Sequence, residues 1–374
     1  MKTFWHTLPK PFFVLAPMEA VTDVVFRHVV SHAGRPDVYF TEFTNATGWF
    51  RAGDKAIGGR LVKTDDEGPI VAQLWGSDPE AMAAMSQHVA ELGYDGIDIN
   101  MGCPDQSAIK GGGGADMIRH PDRAAAIITA AKTSGLPVSV KTRLGYTYLD
   151  EWKDWLGFLL RHDIPVLTVH LRTKKEMSKV PAHFELIPLI KQLRDEIAPE
   201  TLLIINGDIR DRAYGLELVR QYGIDGVMIG RGIFQNPFCF KDSTKRVVRE
   251  SEAREKIAHE QFFDETESQE QDLRIATYVR SSVNSLTTGA GWREEKLEGK
   301  QASEELRKET LIQLLHYHLD QFDHYQPQMG RPFETLKRFF KIYIRDFDGA
   351  GDLRDQLMHT KSTDEVRALL KTRS

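Results

Sequence analysis

With 374 residues, 41% of them apolar and 28% charged, the chain can bury a sizeable core and has the composition of an ordinary folded protein. Its 49 basic and 54 acidic residues leave a formal charge of -5, which argues against non-specific coating of nucleic acid while leaving a local basic face open. No apolar run reaches the ~18 residues of a bilayer crossing, and the two cysteines, Cys103 and Cys239, have neither zinc-site nor disulfide-framework spacing, so no membrane or metal partner is expected. Length suggests two domains of unequal size. Met1-Lys2-Thr3-Phe4-Trp5-His6 runs into the first strand without a signal-peptide pattern, and a cytoplasmic monomer is expected.

Between residues 12 and 231, short Val- and Ile-rich runs recur, each followed by a turn and helical spacing. They are Phe13-Val14-Leu15-Ala16, Val38-Tyr39-Phe40, Ile70-Val71-Ala72-Gln73-Leu74, Ile97-Asp98-Ile99-Asn100, Val138-Ser139-Val140-Lys141, Val166-Leu167-Thr168-Val169-His170, a run over 202–206, and Val227-Met228-Ile229-Gly230. Eight near-continuous apolar strands with intervening helices predict a parallel (β/α)8 TIM barrel. A doubly wound open sheet is the alternative, but it would spread the polar strand ends that a closed ring gathers. Asp78-Pro79-Glu80 and His120-Pro121-Asp122 read as helix starts. Beyond about residue 240 strand signals vanish. The stretches 311–325, 333–347 and 366–370 have helical spacing, and Thr287-Thr288-Gly289-Ala290-Gly291 reads as a turn between helices. The expected organisation is a barrel over 1–240 and an all-helical domain over 241–374.

Polar residues close the strands: Ala16-Pro17-Met18 the first, Gln73 the third, Asn100 and Cys103 the fourth, Lys141 and Arg143 the fifth. His170 and Arg172 follow the sixth, Asn206-Gly207-Asp208 the seventh, Gly230-Arg231-Gly232 the eighth. At one rim of a barrel these would line a pocket. Each also has a plain structural reading: a capping amide for Gln73, solvated rim charges for Lys141 and Arg143, a core histidine for His170, a turn for residues 206–208. Glycines after the last strands allow backbone N–H groups to approach a phosphate. A Gln amide and a Lys cation beside such a phosphate grip suit a flat cofactor, FMN, across the mouth. In Asn100-Met101-Gly102-Cys103-Pro104, followed by glycines at 111–114, a thiol stands on a tight turn at a strand's carboxyl end.

Taken together the chain resembles the tRNA-dihydrouridine synthase family. The matching segments are Ala16-Pro17-Met18-Glu19-Ala20-Val21-Thr22-Asp23, Gln73-Leu74-Trp75-Gly76, Asn100-Met101-Gly102-Cys103-Pro104, Lys141-Thr142-Arg143-Leu144-Gly145, His170 with Arg172-Thr173, Asn206-Gly207-Asp208-Ile209 and Gly230-Arg231-Gly232. They stand in family order across the barrel, whereas the tail matches only in kind. The resemblance implies a flavoenzyme that reduces the C5–C6 double bond of particular tRNA uridines, with FMN as cofactor and NADPH as reductant. Carried over, Pro17, Met18, Glu19, Gln73, Lys141, His170, Asn206, Gly207, Asp208, Gly230 and Arg231 would line the FMN site, Cys103 would be the proton donor, and Asn100 and Arg143 would face the uracil.

A thiol with a free pKa near ~8.5 is mostly protonated at neutral pH, so Cys103 suits an acid unless nearby cations depress it. For the tail, Arg331, Lys337, Arg338, Lys341 and Arg345 interleave with Phe339, Phe340 and Tyr343, a pattern that reads either as an RNA contact led by Arg338 and Lys341 or as the wet face of an amphipathic helix. Two features depart from the family: Leu171 stands where Gly is common and is expected to reshape the cofactor's rim, and an acidic stretch at 250–272 would repel phosphate. A flavin barrel acting on a free small molecule and a non-catalytic tRNA-binding protein are the rival readings. The tail counts against the first, and Cys103, Lys141 and His170 together against the second.

Overall fold

The computed structural model describes residues 2–241 and 291–372, the side chains of 291–303 aside. Eight parallel strands follow one another: β1 Phe12–Leu15, β2 Tyr39–Asn45, β3 Ile70–Trp75, β4 Gly96–Met101, β5 Val138–Arg143, β6 Val166–His170, β7 Leu202–Asn206 and β8 Gly226–Ile229. From β2 to β8 each strand pairs with its sequence neighbour, and β8 pairs with β1. The ring closes at a parallel bridge between Val14 and Val38, backed by Leu15 N to Val38 O (3.1 Å) and Asp37 N to Phe13 O (2.8 Å). This is the expected barrel, and the alternative open sheet is excluded.

Two-residue alternation sorts each strand into an outer and an inner set. Outward residues such as Phe13, Leu15, Ile97, Ile99, Val140, Leu167, Ile205 and Val227 pack under the helices. Inward residues at the amino end, Phe12, Val14, Phe40, Val71, Val166, Leu202, Ile204 and Met228, fill the lower barrel, and Trp5 joins them as a plug. Each such side chain contributes on the order of 1.5–3 kcal/mol by leaving water. Further along the same inward rows the residues turn polar: Gln73, Asp98 and Asn100, Ser139, Lys141 and Arg143, His170, Asn206. The apolar floor therefore sets the polar set at the carboxyl rim.

Asp78 caps the helix Pro79–Glu91 by accepting from Glu80 N at 2.9 Å, and Pro121 opens Pro121–Lys132, both as expected. In the C-terminal region a helix spans Gly291–Met329, ended by Gly330 at φ 62 and then Pro332. The expected helix over 333–347 is instead a 3-10 segment, Phe333–Phe339, running into the short helix Phe340–Tyr343. Ile344, at φ -97 and ψ 85, takes the chain out of helical geometry, and Asp346 follows in the left-handed region at φ 61. Helices Ala350–Met358 and Thr363–Lys371 follow. Gly291 begins a helix, while the rest of the expected turn at 287–290 and the acidic stretch at 250–272 lie outside the described residues.

The long helix and the Phe333–Tyr343 segment lie on the barrel helix Val24–Ala33, and Ala350–Met358 and Thr363–Lys371 pack on them in turn. Phe339 stacks on Phe26 with ring centroids 4.8 Å apart, and Tyr317 stacks on His32 at 4.2 Å. Arg331 crosses to the barrel, where its guanidinium pairs with Asp23 (2.9 Å) and with Glu42. Among the described residues no helix is long and apolar enough to cross a membrane.

Candidate active site

A cavity of about 430 Å³ opens at the carboxyl rim, lined by Pro17, Met18, Lys141, His170, Asn206, Gly207, Asp208, Gly230 and Arg231, together with Ser178, Arg210, Gly232 and Gln235. Nine of the expected cofactor residues therefore come together. Its β7–β8 wall is built on backbone. A Cβ on Gly232 would stand 2.4 Å from Arg210 O, so glycine alone permits this approach of two loops. Asp208 organises the cations there, accepting from Arg231 Nη2 at 3.1 Å and from Ala182 N at 3.0 Å and pairing with Arg172 Nη2. Asn206 is held by donating Nδ2 to Met228 O at 2.8 Å.

His170 accepts at Nε2 from Arg172 Nη1 (3.1 Å); since a guanidinium only donates, the ring proton sits on Nδ1. Burial, reinforced by Arg143, Lys141 and Arg172, drives its pKa well below the ordinary histidine value. The imidazole is neutral. The Lys141 ammonium makes no hydrogen bond among the described residues, and burial followed by Arg143 lowers its pKa to about 8. A cation that lines a cavity without a hydrogen bond is what an anionic edge of a ligand would meet.

Beside the cavity, Gln73, Asn100, Cys103 and Arg143 form a second group. Gln73 Nε2 donates to Asp98 Oδ2 (2.7 Å), Ser139 Oγ donates to Asp98 Oδ1 (2.6 Å), and Asn100 Nδ2 donates to Gln73 Oε1 (3.0 Å). Asn100 Oδ1 in turn accepts from Gly102 N (3.1 Å) and Cys103 N (2.8 Å). Burial raises the Asp98 pKa to about 6 against these hydrogen bonds. Asp98 escaped the sequence reading because it sat within an apolar run. Its place two residues before Asn100, on the same strand face, was the available signal.

Cys103 is partly buried on the loop after β4. The expected conflict between an acid role and nearby cations resolves in the acid's favour: burial raises the thiol pKa more than Arg143 and Lys141 lower it, so the sulfur is protonated at neutral pH. Of the glycines at 111–114, Gly114 lies against this loop, while Gly111 and Gly113 meet Trp75 and Gly112 meets Ser77. Gly114, at φ 56, lies so close that a Cβ would stand 2.8 Å from Cys103 O. Arg143 is buried and donates Nε to Gly102 O (2.7 Å) and Nη1 to Thr173 O (3.2 Å) and Met177 O (2.9 Å), tying the cysteine loop to the loop after β6.

Several expected placements differ. Glu19 lines a separate cavity of about 420 Å³ with Phe43, Asn45 and Trp75, and its carboxylate pairs with Arg60. Leu171 is fully buried in the outer layer, because it follows the inward-facing His170 and alternation turns it away, so it does not reshape the rim. In the tail, Phe339, Phe340 and Tyr343 are core and Arg331 is spent on Asp23 and Glu42, so none of the four is free for a base or a phosphate. Arg345 donates to Phe234 O (3.1 Å) and Gln235 O (2.8 Å). Arg338 and Lys341 remain exposed, Arg338 Nη1 reaching Ala20 O (2.9 Å) on the loop after β1. No group of three or more His, Cys, Asp or Glu side chains able to hold a metal occurs among the described residues.

The family model described as "Dihydrouridine synthase (Dus)" matches residues 14–316. A "Probable tRNA-dihydrouridine synthase 2" of Bacillus subtilis (strain 168) is 51% identical over 370 residues, covering 99% of this chain and 96% of that protein. A "Probable tRNA-dihydrouridine synthase" of Staphylococcus epidermidis is 49% identical over 372 residues, with 99% and 96% covered. Among solved structures, morphinone reductase in complex with tetrahydroNAD is similar over 62% of this chain and 86% of its own, at 13% identity and a TM-score of 0.42. With a family model over most of its length and relatives sharing half its residues end to end, the chain is an oxidoreductase that belongs to the dihydrouridine synthase family.

Proposed function

We propose that the chain is a cytoplasmic tRNA-dihydrouridine synthase that holds FMN in the rim cavity, takes its electrons from NADPH, and reduces the C5–C6 double bond of particular uridines in tRNA. The cavity fits FMN on its own features: a glycine-built wall with Arg231 for a phosphate, and a Lys141 ammonium free of hydrogen bonds for the ring's electron-rich edge. Pro17, Met18, Lys141, His170, Asn206, Gly207, Asp208, Gly230 and Arg231 would hold the cofactor, with Gln73 at its ring edge. When bound, FMN supplies the hydride for uracil C6.

The chain's own residues do the rest. The Cys103 thiol gives its proton to C5, as an acid that is still protonated at neutral pH can. Negative charge gathering on a uracil oxygen is met by N–H donors, and Arg143, with Nε and Nη1 engaged, keeps the two N–H groups of Nη2 for that purpose. Asn100 holds the cysteine loop beside them. A uridine inside folded tRNA must leave its stack to reach this rim, at a cost of a few kcal/mol. We assign residues 1–240 to catalysis and 241–374 to gripping tRNA by shape and phosphates, with Arg338 and Lys341 as exposed contacts.

The observation that carries this reading is a partly buried thiol on the same rim as a cation-lined cavity. Its test is Cys103→Ala in the purified protein. Bound flavin and NADPH oxidation are expected to persist while dihydrouridine formation in tRNA falls by about 10²-fold or more. Loss of flavin together with activity would make the thiol structural, and parent protein that leaves tRNA unmodified would refute the function.

A further inference from the structure

We propose that Asp98 is a positioning residue that fixes the direction of a hydrogen-bond relay running to the cysteine loop, and so sets both the orientation of the fully buried Gln73 amide beside the cavity and the seat of Cys103. The argument follows from which atoms can donate. Asp98 is fully buried and, as a carboxylate, only accepts, so the Gln73 side chain must turn its NH₂ group toward it at 2.7 Å. That leaves Gln73 Oε1 toward Asn100, whose Nδ2 donates to it at 3.0 Å. Asn100 Oδ1 is then the end that faces Gly102 N and Cys103 N, which donate at 3.1 and 2.8 Å. Were Asn100 turned over, its NH₂ would confront the N–H of Cys103 and the loop would be pushed off its seat.

Ser139 secures the other carboxylate oxygen at 2.6 Å, so Asp98 cannot swing away. The arrangement also explains why a carboxylate is tolerated beneath a barrel mouth: both its oxygens accept hydrogen bonds, and the Lys141 cation attracts it electrostatically. No single link is unusual, but the order in which they connect determines two amides and one backbone turn from one acidic group.

The inference rests on the proposed function where it concerns flavin, but not where it concerns the thiol, and the experiment uses that difference. Asp98→Ala, Asp98→Asn and Asn100→Ala are compared with the parent in three measurements: alkylation of Cys103 by iodoacetamide without flavin, FMN affinity by fluorescence titration, and dihydrouridine formation. Cys239 is buried and will not contribute to the alkylation signal. Asp98→Ala is expected to speed alkylation about ten-fold, because a released loop exposes the thiol and lets its pKa fall, and to weaken FMN binding by a similar factor.

Asp98→Asn can still accept from Gln73 through its oxygen while its NH₂ donates to Ser139 Oγ, so alkylation should stay within about two-fold of the parent. Asn100→Ala removes the last link and should match Asp98→Ala in alkylation without adding to it in the double variant. This arm also decides the matter should Asp98→Ala fail to fold. Unchanged alkylation in Asn100→Ala, or Asp98→Asn behaving like Asp98→Ala, would overturn the relay. A parent protein that forms no dihydrouridine would overturn the functional reading alone.

Discussion

Arg331→Met removes a charge that two buried carboxylates depend on while keeping most of the side chain's length. In the structure Arg331 is 13% exposed, Asp23 9% and Glu42 0%, and one guanidinium serves both acids. Burial already raises both carboxyl pKa values, with Arg331 the largest opposing influence on each. Breaking a buried pair from one side costs roughly 3–5 kcal/mol, because the remaining charge is left uncompensated. For a chain of 374 residues that is a fall in Tm of about 4–6 °C. The pH dependence follows from the direction of the shift. A carboxyl whose folded pKa lies above its unfolded value lends stability below the unfolded pKa and loses it as pH rises through the folded one. Without Arg331 both folded values rise further, so the deficit should be larger at about pH 8 than at about pH 5.5. Circular-dichroism melts at the two pH values measure it. A fall of less than about 3 °C, or the same fall at both, would show these acids to be screened by water and the reasoning wrong.

Three further outcomes are expected. Gly232→Ala forces a Cβ to within 2.4 Å of Arg210 O, so the loops at the cavity wall must part; a roughly ten-fold loss of FMN affinity in a fluorescence titration is expected, at a stability cost of about 1–3 kcal/mol. FMN binding should weaken as pH rises through about 8, where Lys141 loses its proton, and show no inflection from His170, which burial keeps neutral; Lys141→Met should flatten the profile. Lys341→Ala and Arg338→Ala, at exposed tail positions, should each weaken tRNA binding across sequences and lower the salt slope by about one, read by filter binding at several salt concentrations.

Much of the site was legible before any coordinates because parallel barrel strands announce themselves. Buried on both faces, they read as apolar runs, and the first polar residue after each run falls at the rim. Gln73, Asn100, Lys141, His170 and Asn206 were found that way, and all five now stand at the carboxyl ends of their strands. Asp98 was not, because one acid inside an apolar run looks like noise until alternation places it beneath Asn100 on the inner face. Glu19 stands only two residues beyond Pro17, yet the loop carries it to another cavity and to Arg60.

By itself the sequence determined the barrel, the rim and the lone thiol's position on a strand-end turn, since these follow from local periodicity and from residues close together in the chain. Tertiary structure alone decided the tail. Arg331 lies 308 residues from Asp23 and 289 from Glu42, and no local pattern records that they meet. An arginine among aromatics reads the same whether it faces RNA or a buried acid. Which one it faces depends on how the C-terminal helices dock on the first barrel helix, driven by burial of Phe26, Phe339, Phe340 and Tyr343, an effect that has magnitude but no direction until the surfaces are brought together.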